Sequence, residues 1–598
     1  MSIAPLKKVT ICGLATEKGQ LLAELQTLGC MHLLPLRPAP KEVENVASPR
    51  AEAAYNALRF LSDMPQKRRQ VTRDASFDVD RLVKEALDVK QRLRAATDRR
   101  DFLEHRIAAI APWGDLLFPP EESLAGYRLW FYTLPLGELK CLERLSSPWQ
   151  ILRRDNRFAY VVLIAREEPE GDLLPVPRTH TGALPVSALK AQLEDAEVEI
   201  EDLVAQRLAL TRFIFLLSVN LAEAENRASL NFADQQTRDE AGIVAVQGWV
   251  PEHALPALEG AVARKGLALL VEAPGPDDDP PTLLEERPEM EAGLDLAMFY
   301  QVPSYRSWDP SLILVISFSV FFAMILSDAG YAAVLLAGLL AFWKRLGKSA
   351  KGRSYRLLGL ILCGASLVWG IVVGSYFGVE PPPGSLAGRV HLLHLNDFDT
   401  MMSISIFVGI AHLVIANAMN AWVKRRQLVA LANIGWIVSL AGGVLLWRAG
   451  AGTDVGLLGY FLLGSGLLLS FLFSSERAIR RPSDWLWRAA DGLKALTGAL
   501  GMFGDVLSYM RLFALGLAAA SLALTFNNLA GELKDAVPGL GLLLAILVLI
   551  VGHVLNLGLS IMSGVVHSLR LNFIEFYKWG LPAEGTAFRK FARKEVQP

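Results

Sequence analysis

Apolar residues follow two different rhythms along this chain. In the first half they recur in alternating steps of three and four. One such run is Ala86, Val89, Leu93, Ala96, Arg100, Leu103 and Ile107. A second is Leu189, Leu193, Ala196, Ile200, Leu203, Arg207, Leu210, Ile214, Leu217, Leu221 and Ala224. This spacing puts each set on one helix face and predicts an antiparallel two-helix coiled coil. The second helix would measure roughly 50 Å at 1.5 Å per residue. Each seam contains one arginine, a cost that suits the setting of register. In the second half the rhythm gives way to long apolar stretches near 311–343, 355–377, 402–422, 428–447, 456–474, 499–530 and 540–574. A membrane-spanning helix needs about 20 such residues.

Between and around the heptads lie shorter alternating segments. Residues 127–165 read strand, helix, strand and connect the two long helices at one tip. Residues 7–35 and 241–272 repeat that order and are predicted to share a sheet at the other end. The Pro- and Asp-rich run at 273–288 reads as a linker into the membrane. The predicted division is therefore 1–75, the first part of an α/β lobe near the membrane; 76–112, a coiled-coil helix; 113–182, a distal α/β lobe; 183–228, the returning helix; 229–288, the second part of the near lobe; 289–310, a linker; and 311–598, a membrane domain.

Basic residues orient the membrane half. Lys344, Arg345, Lys348, Lys351, Arg353 and Arg356 form one cluster, Lys424, Arg425 and Arg426 a second, and Arg477, Arg480, Arg481 and Arg488 a third. The intervening loops carry only Arg389, Arg448 and Lys534. The positive-inside rule places the clusters in the cytoplasm. A single first span would then push the N-terminal half across the membrane with no signal peptide. Splitting 311–343 into a tight hairpin at Ser327-Asp328-Ala329-Gly330 avoids this. It predicts eight transmembrane helices with both termini cytoplasmic, and it makes Asp328 a helix cap at the hairpin tip.

Composition changes this picture little. The 598 residues carry a net charge of −1, which gives no global field for nucleic acid. The four cysteines form no CxxC pair and suit a reducing compartment. No phosphate loop, GxGxxG, HExxH or GxSxG signature occurs, so no nucleotide hydrolysis, cofactor or metal is predicted for this chain alone.

The chemistry lies in two arginines within the last apolar stretches. Arg511 sits in DVLSYMRLFALGLAAASLAL and Arg570 in SIMSGVVHSLRLNFIEF. An arginine at mid-bilayer costs on the order of 3 kcal/mol and stays charged at any biological pH. His553, Asn556, Ser560, Ser563, His567 and Arg570 follow at steps of three, four, three, four and three, a polar face on one helix. Such a face suits a helix lining a water-filled path, although Ser560 and Ser563 also suit interhelical packing. Glu575 follows near the cytoplasmic end, and Asp505, Ser508 and Tyr509 precede Arg511 within a turn or two. Asp397, Asp399, His391 and His394 read as a solvated outer loop. Gly552, Gly558 and Gly564 allow close packing against a neighbour.

These motifs make the chain recognisable. FFAMILSDAGY at 321–331, WGIVVGSYFG at 369–378, SYMRLFALGLA at 508–518 and VHSLRLNFIEF at 566–576, with QGWVP and DDPPTLL before them, resemble subunit a (I in bacteria) of the vacuolar/archaeal-type rotary ATPases. The resemblance implies a stator subunit that guides protons or sodium ions past a rotor, in a bacterial or archaeal plasma membrane. It implies that Arg511 and Arg570 face a rotor carboxylate, with His567 on the same path. Its implied partners are a ring of proteolipid c subunits, peripheral-stalk E/G subunits, the central stalk, nucleotide-binding subunits and membrane lipid. Two departures are visible. Ser560 stands where eukaryotic members carry Glu, and the closing Phe-rich motif is reduced to AFRKFA. The rival reading is a secondary transporter or channel with a cytosolic regulatory domain, which predicts internal repeats that the spans do not show.

Overall fold

The structure is a computed structural model. It describes residues 2–37, 49–116, 124–167, 174, 176–182, 184–285, 291–382, 384–394, 397–450, 452–477, 481–536 and 538–596. Arg480 and linker residues 286–290 lie outside the described residues.

In chain order the first elements are β1 (Ser2–Ile3), β2 (Leu6–Leu14), α1 (Lys18–Leu28), β3 (His32–Leu34), α2 (Pro49–Ser62) and α3 (Val79–Ile110). Next come β4 (Arg128–Pro135), β5 (Trp149–Arg154), β6 (Phe158–Ala165), α4 (Val186–Leu210), α5 (Ile214–Gln236), β7 (Arg238–Glu240), β8 (Ile243–Pro251), α6 (Leu255–Arg264), β9 (Ala268–Glu272) and β10 (Leu284–Glu285). The rest is helical: α7 (Glu291–Met298), α8 (Ser311–Leu326), α9 (Ala329–Ala341), α10 (Trp343–Leu346), α11 (Ala350–Val373), α12 (Leu386–Val390), α13 (Phe398–Val423) and α14 (Ala430–Ala449). It closes with α15 (Asp454–Phe473), α16 (Ser483–Ser508), α17 (Met510–Ala536), α18 (Gly541–Arg570), a π-helical turn (Leu571–Phe576) and α19 (Tyr577–Gly580).

The chain divides into two compact units. One comprises Gly19–Thr27, Arg37–Thr237 and Ala592–Pro598. Its spine is α3 packed against α4 and α5. Leu82, Ala86 and Val89 at the start of α3 meet Leu210, Leu217 and Leu221. Leu103 and Ile110 at its end meet Val186 and Leu189. The heptad residues therefore pack head to tail. Asp78 caps α3 by accepting from the amides of Asp80 and Arg81. The seam departs from the simple pattern at Thr211–Phe213, where one 3₁₀ turn separates α4 from α5. Helix α2, which the sequence places in the near lobe, instead packs on this spine through Ala54, Ala57 and Leu61. That explains the seam arginine: Arg207 Nε donates to the Phe60 carbonyl at 3.1 Å, and its guanidinium lies 4.0 Å from the Phe60 ring. Arg207→Ala removes a charge-assisted hydrogen bond worth about 2 kcal/mol, so amide exchange in α2 is expected to quicken roughly thirtyfold. Hydrogen-exchange mass spectrometry of the whole chain checks this. The distal sheet has order β4–β6–β5, entirely antiparallel. It holds one strand more than the sequence pattern suggests, and its helix, Leu136–Arg144, is 3₁₀.

The other unit comprises Met1–Lys18, Leu28–Leu36 and Arg238–Phe591. Its sheet runs β3–β8–β2–β9 with β7 on β8, all antiparallel, so strands from both sequence segments share it as expected. The AFRKFA tail returns to this sheet. Phe588 N donates to the Thr282 carbonyl at 3.0 Å, Phe591 N to the Met31 carbonyl at 2.8 Å, and Arg589 N to His32 Nδ1 at 2.9 Å.

Six helical runs are long and apolar enough to cross a membrane, among the described residues. Helices α8 and α9 are apolar but shorter, at 16 and 13 residues. The chain reverses between them at Ser327, whose φ is +45°. Both legs run beside α11: Val315 of α8 and Leu339 of α9 lie near its first half, while Trp369 Nε1 near its end donates to Ser327 Oγ at 3.2 Å. Asp328 caps α9, accepting from Tyr331 N at 2.9 Å. It also holds the loop after α11, accepting from Ser375 Oγ at 2.7 Å, Phe377 N at 3.0 Å and Gly378 N at 2.9 Å. Of the three α18 glycines singled out in the sequence, Gly552 faces Phe526 and Gly564 faces Phe322, while Gly558 faces open space.

Candidate functional site

The apolar stretch carrying Arg511 is part of a helical run of 54 residues, and that carrying Arg570 part of a run of 40 residues. At 1.5 Å per residue these measure roughly 80 and 60 Å, far beyond a hydrocarbon core of about 30 Å. Each run is interrupted beside its arginine. Tyr509 separates α16 from α17 two residues before Arg511. The π-helical turn begins directly after Arg570. In a π turn the hydrogen bonds run i→i+5, so residues five apart come one above the other. Glu575 is five residues after Arg570.

The interruptions bring three charged groups together. Arg511 Nη2 donates to Ser508 Oγ at 2.7 Å, and Ser508 Oγ donates to Glu575 Oε1 at 2.6 Å. Arg570 Nε lies 3.7 Å from the same Oε1. Two fixed cations thus share one buried carboxylate, leaving one positive charge uncompensated. Each side of the cluster also keeps a buried atom with no hydrogen-bond partner among the described residues: Arg511 Nη1 and Glu575 Oε2. The Glu575 side chain is 3% exposed, whereas that of Arg570 is 51% exposed. Arg570 emerges on the α18 surface in line with exposed Met562, Val566 and Ile574.

The polar face of α18 leads away from this cluster. Asn556 and Ser560 are buried, while His553, Ser563 and His567 are half-buried. His567 Nδ1 and Ser560 Oγ are buried without a partner among the described residues. At the far end a hydrogen-bond chain crosses three helices. Asn556 Nδ2 donates to Tyr331 Oη at 3.0 Å, and Tyr331 Oη meets His553 Nδ1 at 2.8 Å. His553 Nε2 meets Asn527 Oδ1 at 3.0 Å, and Asn527 Nδ2 donates to the Phe377 carbonyl at 2.8 Å. The amide oxygen of Asn527 can only accept, which puts a proton on His553 Nε2.

No family model matches the chain. Full-length comparison does. It is 29% identical to V-type ATP synthase subunit I 1 of Treponema pallidum, covering 96% of this chain and 97% of that one. It is 25% identical to V-type ATP synthase subunit I of Chlamydia pneumoniae over 90% and 88%. It is 28% identical to A-type ATP synthase subunit I of Methanocaldococcus jannaschii over 70% and 65%. The chain is a homologue of V/A-type ATP synthase subunit I. A solved cytoplasmic N-terminal domain of subunit I, a homologue of V-ATPase subunit a, aligns over 44% of this chain and 99% of its own at 18% identity and a TM-score of 0.23.

In this subunit I homologue two predicted site residues point away from the arginines. The Tyr509 hydroxyl pairs with His412 Nδ1 of α13 at 2.8 Å. Asp505 accepts from Lys578 Nζ at 2.8 Å and Trp579 Nε1 at 2.7 Å, bracing α16 against α19. Asp397 is a helix cap, accepting from Thr400 N at 3.2 Å. His391 and His394 stand ring to ring at 4.3 Å in the same loop. Sequence reasoning passed over Tyr331, Asn527 and the α13 face. Ser405, His412 and Asn420 are buried on that helix. His412 stacks on Phe576 at 4.2 Å, and its Nε2 lacks a partner among the described residues. The same counting of helical steps that found the α18 face finds Ser405, Gly409, His412, Ala416 and Asn420.

Proposed function

We propose that this chain is the stator of a V/A-type rotary ATPase, carrying protons or sodium ions past a ring of proteolipid subunits. The observation that carries this reading is the net positive, half-satisfied arginine cluster, with a buried Arg511 donor unpaired and Arg570 emerging beside it. An incoming carboxylate supplies both the missing acceptor and the missing negative charge. Each rotor subunit presents such a carboxylate, protonated or sodium-bound while it faces lipid, because a bare charge there is too costly. Beside the two guanidiniums it becomes the anion and gives up its ion. Cations are repelled from the direct route, so an ion crosses only by riding the ring between two offset half-channels.

On this reading α8 and α9 complete eight membrane passages with both termini cytoplasmic. The Asn527–His553–Tyr331–Asn556 chain and Ser560, Ser563 and His567 then form the outer half-channel. The α3–α4–α5 spine acts as a stiff coiled-coil beam that ties the membrane part to peripheral stalks and resists torque. Affinity purification of the chain from its native membrane tests the assignment. A ring of small proteolipids and nucleotide-binding subunits is expected with it. Recovery as a free-standing oligomer that transports a solute overturns the reading in favour of a secondary transporter.

A further inference from the structure

We propose that Glu575 is the acceptor to which the rotor carboxyl hands its ion at the arginine pair, and that it serves as the pair's own counter-ion between arrivals. The inference rests on the rotary reading and gives a role to a residue that reading leaves unspecified.

The geometry divides the two oxygens of Glu575 between two tasks. Oε1 is held by Ser508, itself held by Arg511, and lies beside Arg570 Nε. Oε2 is buried and, among the described residues, unpaired. A buried carboxylate oxygen without a donor is costly, and structural carboxylates are ordinarily satisfied on both sides. Asp328 in this same chain shows the ordinary case, with four donors over its two oxygens. Glu575 is left ready to bind one more cation. Arg511 Nη1, unpaired in the same cluster, is left ready to bind one more anion. An arriving carboxylic acid satisfies both atoms in one exchange.

The exchange balances. The O–H bond of the rotor acid breaks and a new O–H bond forms at Glu575 Oε2, with no electron transferred. The rotor group becomes the carboxylate and takes the Nη1–H of Arg511. Glu575 becomes neutral and loosens its hold on Ser508 and Arg570. A sodium ion passes between the same two carboxylates in the same sense. The net charge of the cluster and rotor acid together is +1 before and after, so no charge is created in the membrane during the transfer. The π turn has a part in this: it is what sets Glu575 beneath Arg570. The titratable neighbour facing the two arginines is His567, one turn before Arg570, while Lys578 is engaged by Asp505.

The test uses the whole complex in sealed vesicles and measures ATP-driven ion uptake for the unaltered chain, Glu575→Gln, Ser508→Ala and Arg511→Ala. Glutamine keeps the shape and an oxygen for Ser508 but neither accepts a proton nor carries charge. Uptake is expected to fall at least tenfold with Glu575→Gln while the ring copurifies at normal yield. If Glu575→Gln does not assemble, Ser508→Ala decides: it leaves the carboxylate but breaks its link to Arg511, and is expected to slow uptake several-fold. Uptake within twofold of normal in an assembled Glu575→Gln complex, or in Ser508→Ala where the first does not assemble, overturns the role of Glu575. If Arg511→Ala transports normally, the role given to the arginine pair fails, and the rotary reading loses the observation that carries it. If Arg511→Ala is inactive and Glu575→Gln is fully active, only the present inference fails.

Discussion

Arg511→Ala is expected to abolish ATP-driven ion uptake in reconstituted vesicles while leaving the subunit assembled. The guanidinium has two duties in the cluster. It holds Ser508 at 2.7 Å, and so orients the serine toward Glu575, and on the proposed reading its unpaired Nη1 is what meets the rotor carboxylate. Removing one member of a buried charged pair costs about 3–5 kcal/mol, roughly a hundred- to several-thousandfold in the population of the remaining ion. The rotor acid would then keep its ion instead of releasing it. Arg570→Ala is expected to act in the same direction. Lysine at 511 keeps the charge but cannot offer two parallel donors, so an intermediate loss is expected. Vesicle uptake with a pH- or sodium-sensitive dye, normalised to copurified ring, measures all three. If coupled transport survives both alanine changes, the roles given to these residues are wrong.

Asp328→Ala is expected to prevent the membrane half from accumulating in folded form. Asp328 is buried, 2% exposed, and joins the start of α9 to the loop after α11. Alanine strands the amides of Tyr331, Phe377 and Gly378 and the hydroxyl of Ser375. Each stranded group costs about 1–3 kcal/mol, and even partial addition approaches the 5–15 kcal/mol that typically separates folded from unfolded chains. Asparagine keeps one acceptor oxygen and is expected to recover part of the yield. Detergent size-exclusion of the tagged chain, read as the fraction eluting as a single symmetric species, checks the order Asp, Asn, Ala. Equal yields for all three would show that the hairpin tip is held by other contacts.

Much of this was legible in the sequence because helical periodicity is a local property. The α18 face from His553 to Arg570 follows from steps of three and four alone. So does the shared packing of Ala86 and Val89 with Leu217 and Leu221, and of Leu103 with Leu189. Asp328 reads as a cap because an acid in a tight reversal has few other uses. What periodicity does not supply is any slip in the hydrogen-bond register. Glu575 falls beneath Arg570 only because of the π turn, which no residue type announces. Tyr509 looks like a neighbour of Arg511 by spacing, yet the break at that residue turns its hydroxyl to His412. Helix α2 was misplaced because its weak apolar face, Ala54, Ala57 and Leu61, does not say which partner it packs on.

The proposal turns on whether the exposed α18 stripe around Arg570 meets the rotor. Val566, one turn from Arg570 and 50% exposed, is the place to ask. With Val566→Cys and a single cysteine placed one turn from the ring carboxylate, mild oxidation is expected to form a disulfide. That bond should halt ATP-driven uptake, and reductant should restore it. If no cross-link to the ring forms at Val566 or at its neighbour Met562, and both cysteines react freely with a lipid-soluble maleimide in the assembled complex, the arginine cluster faces lipid and does not serve a rotor.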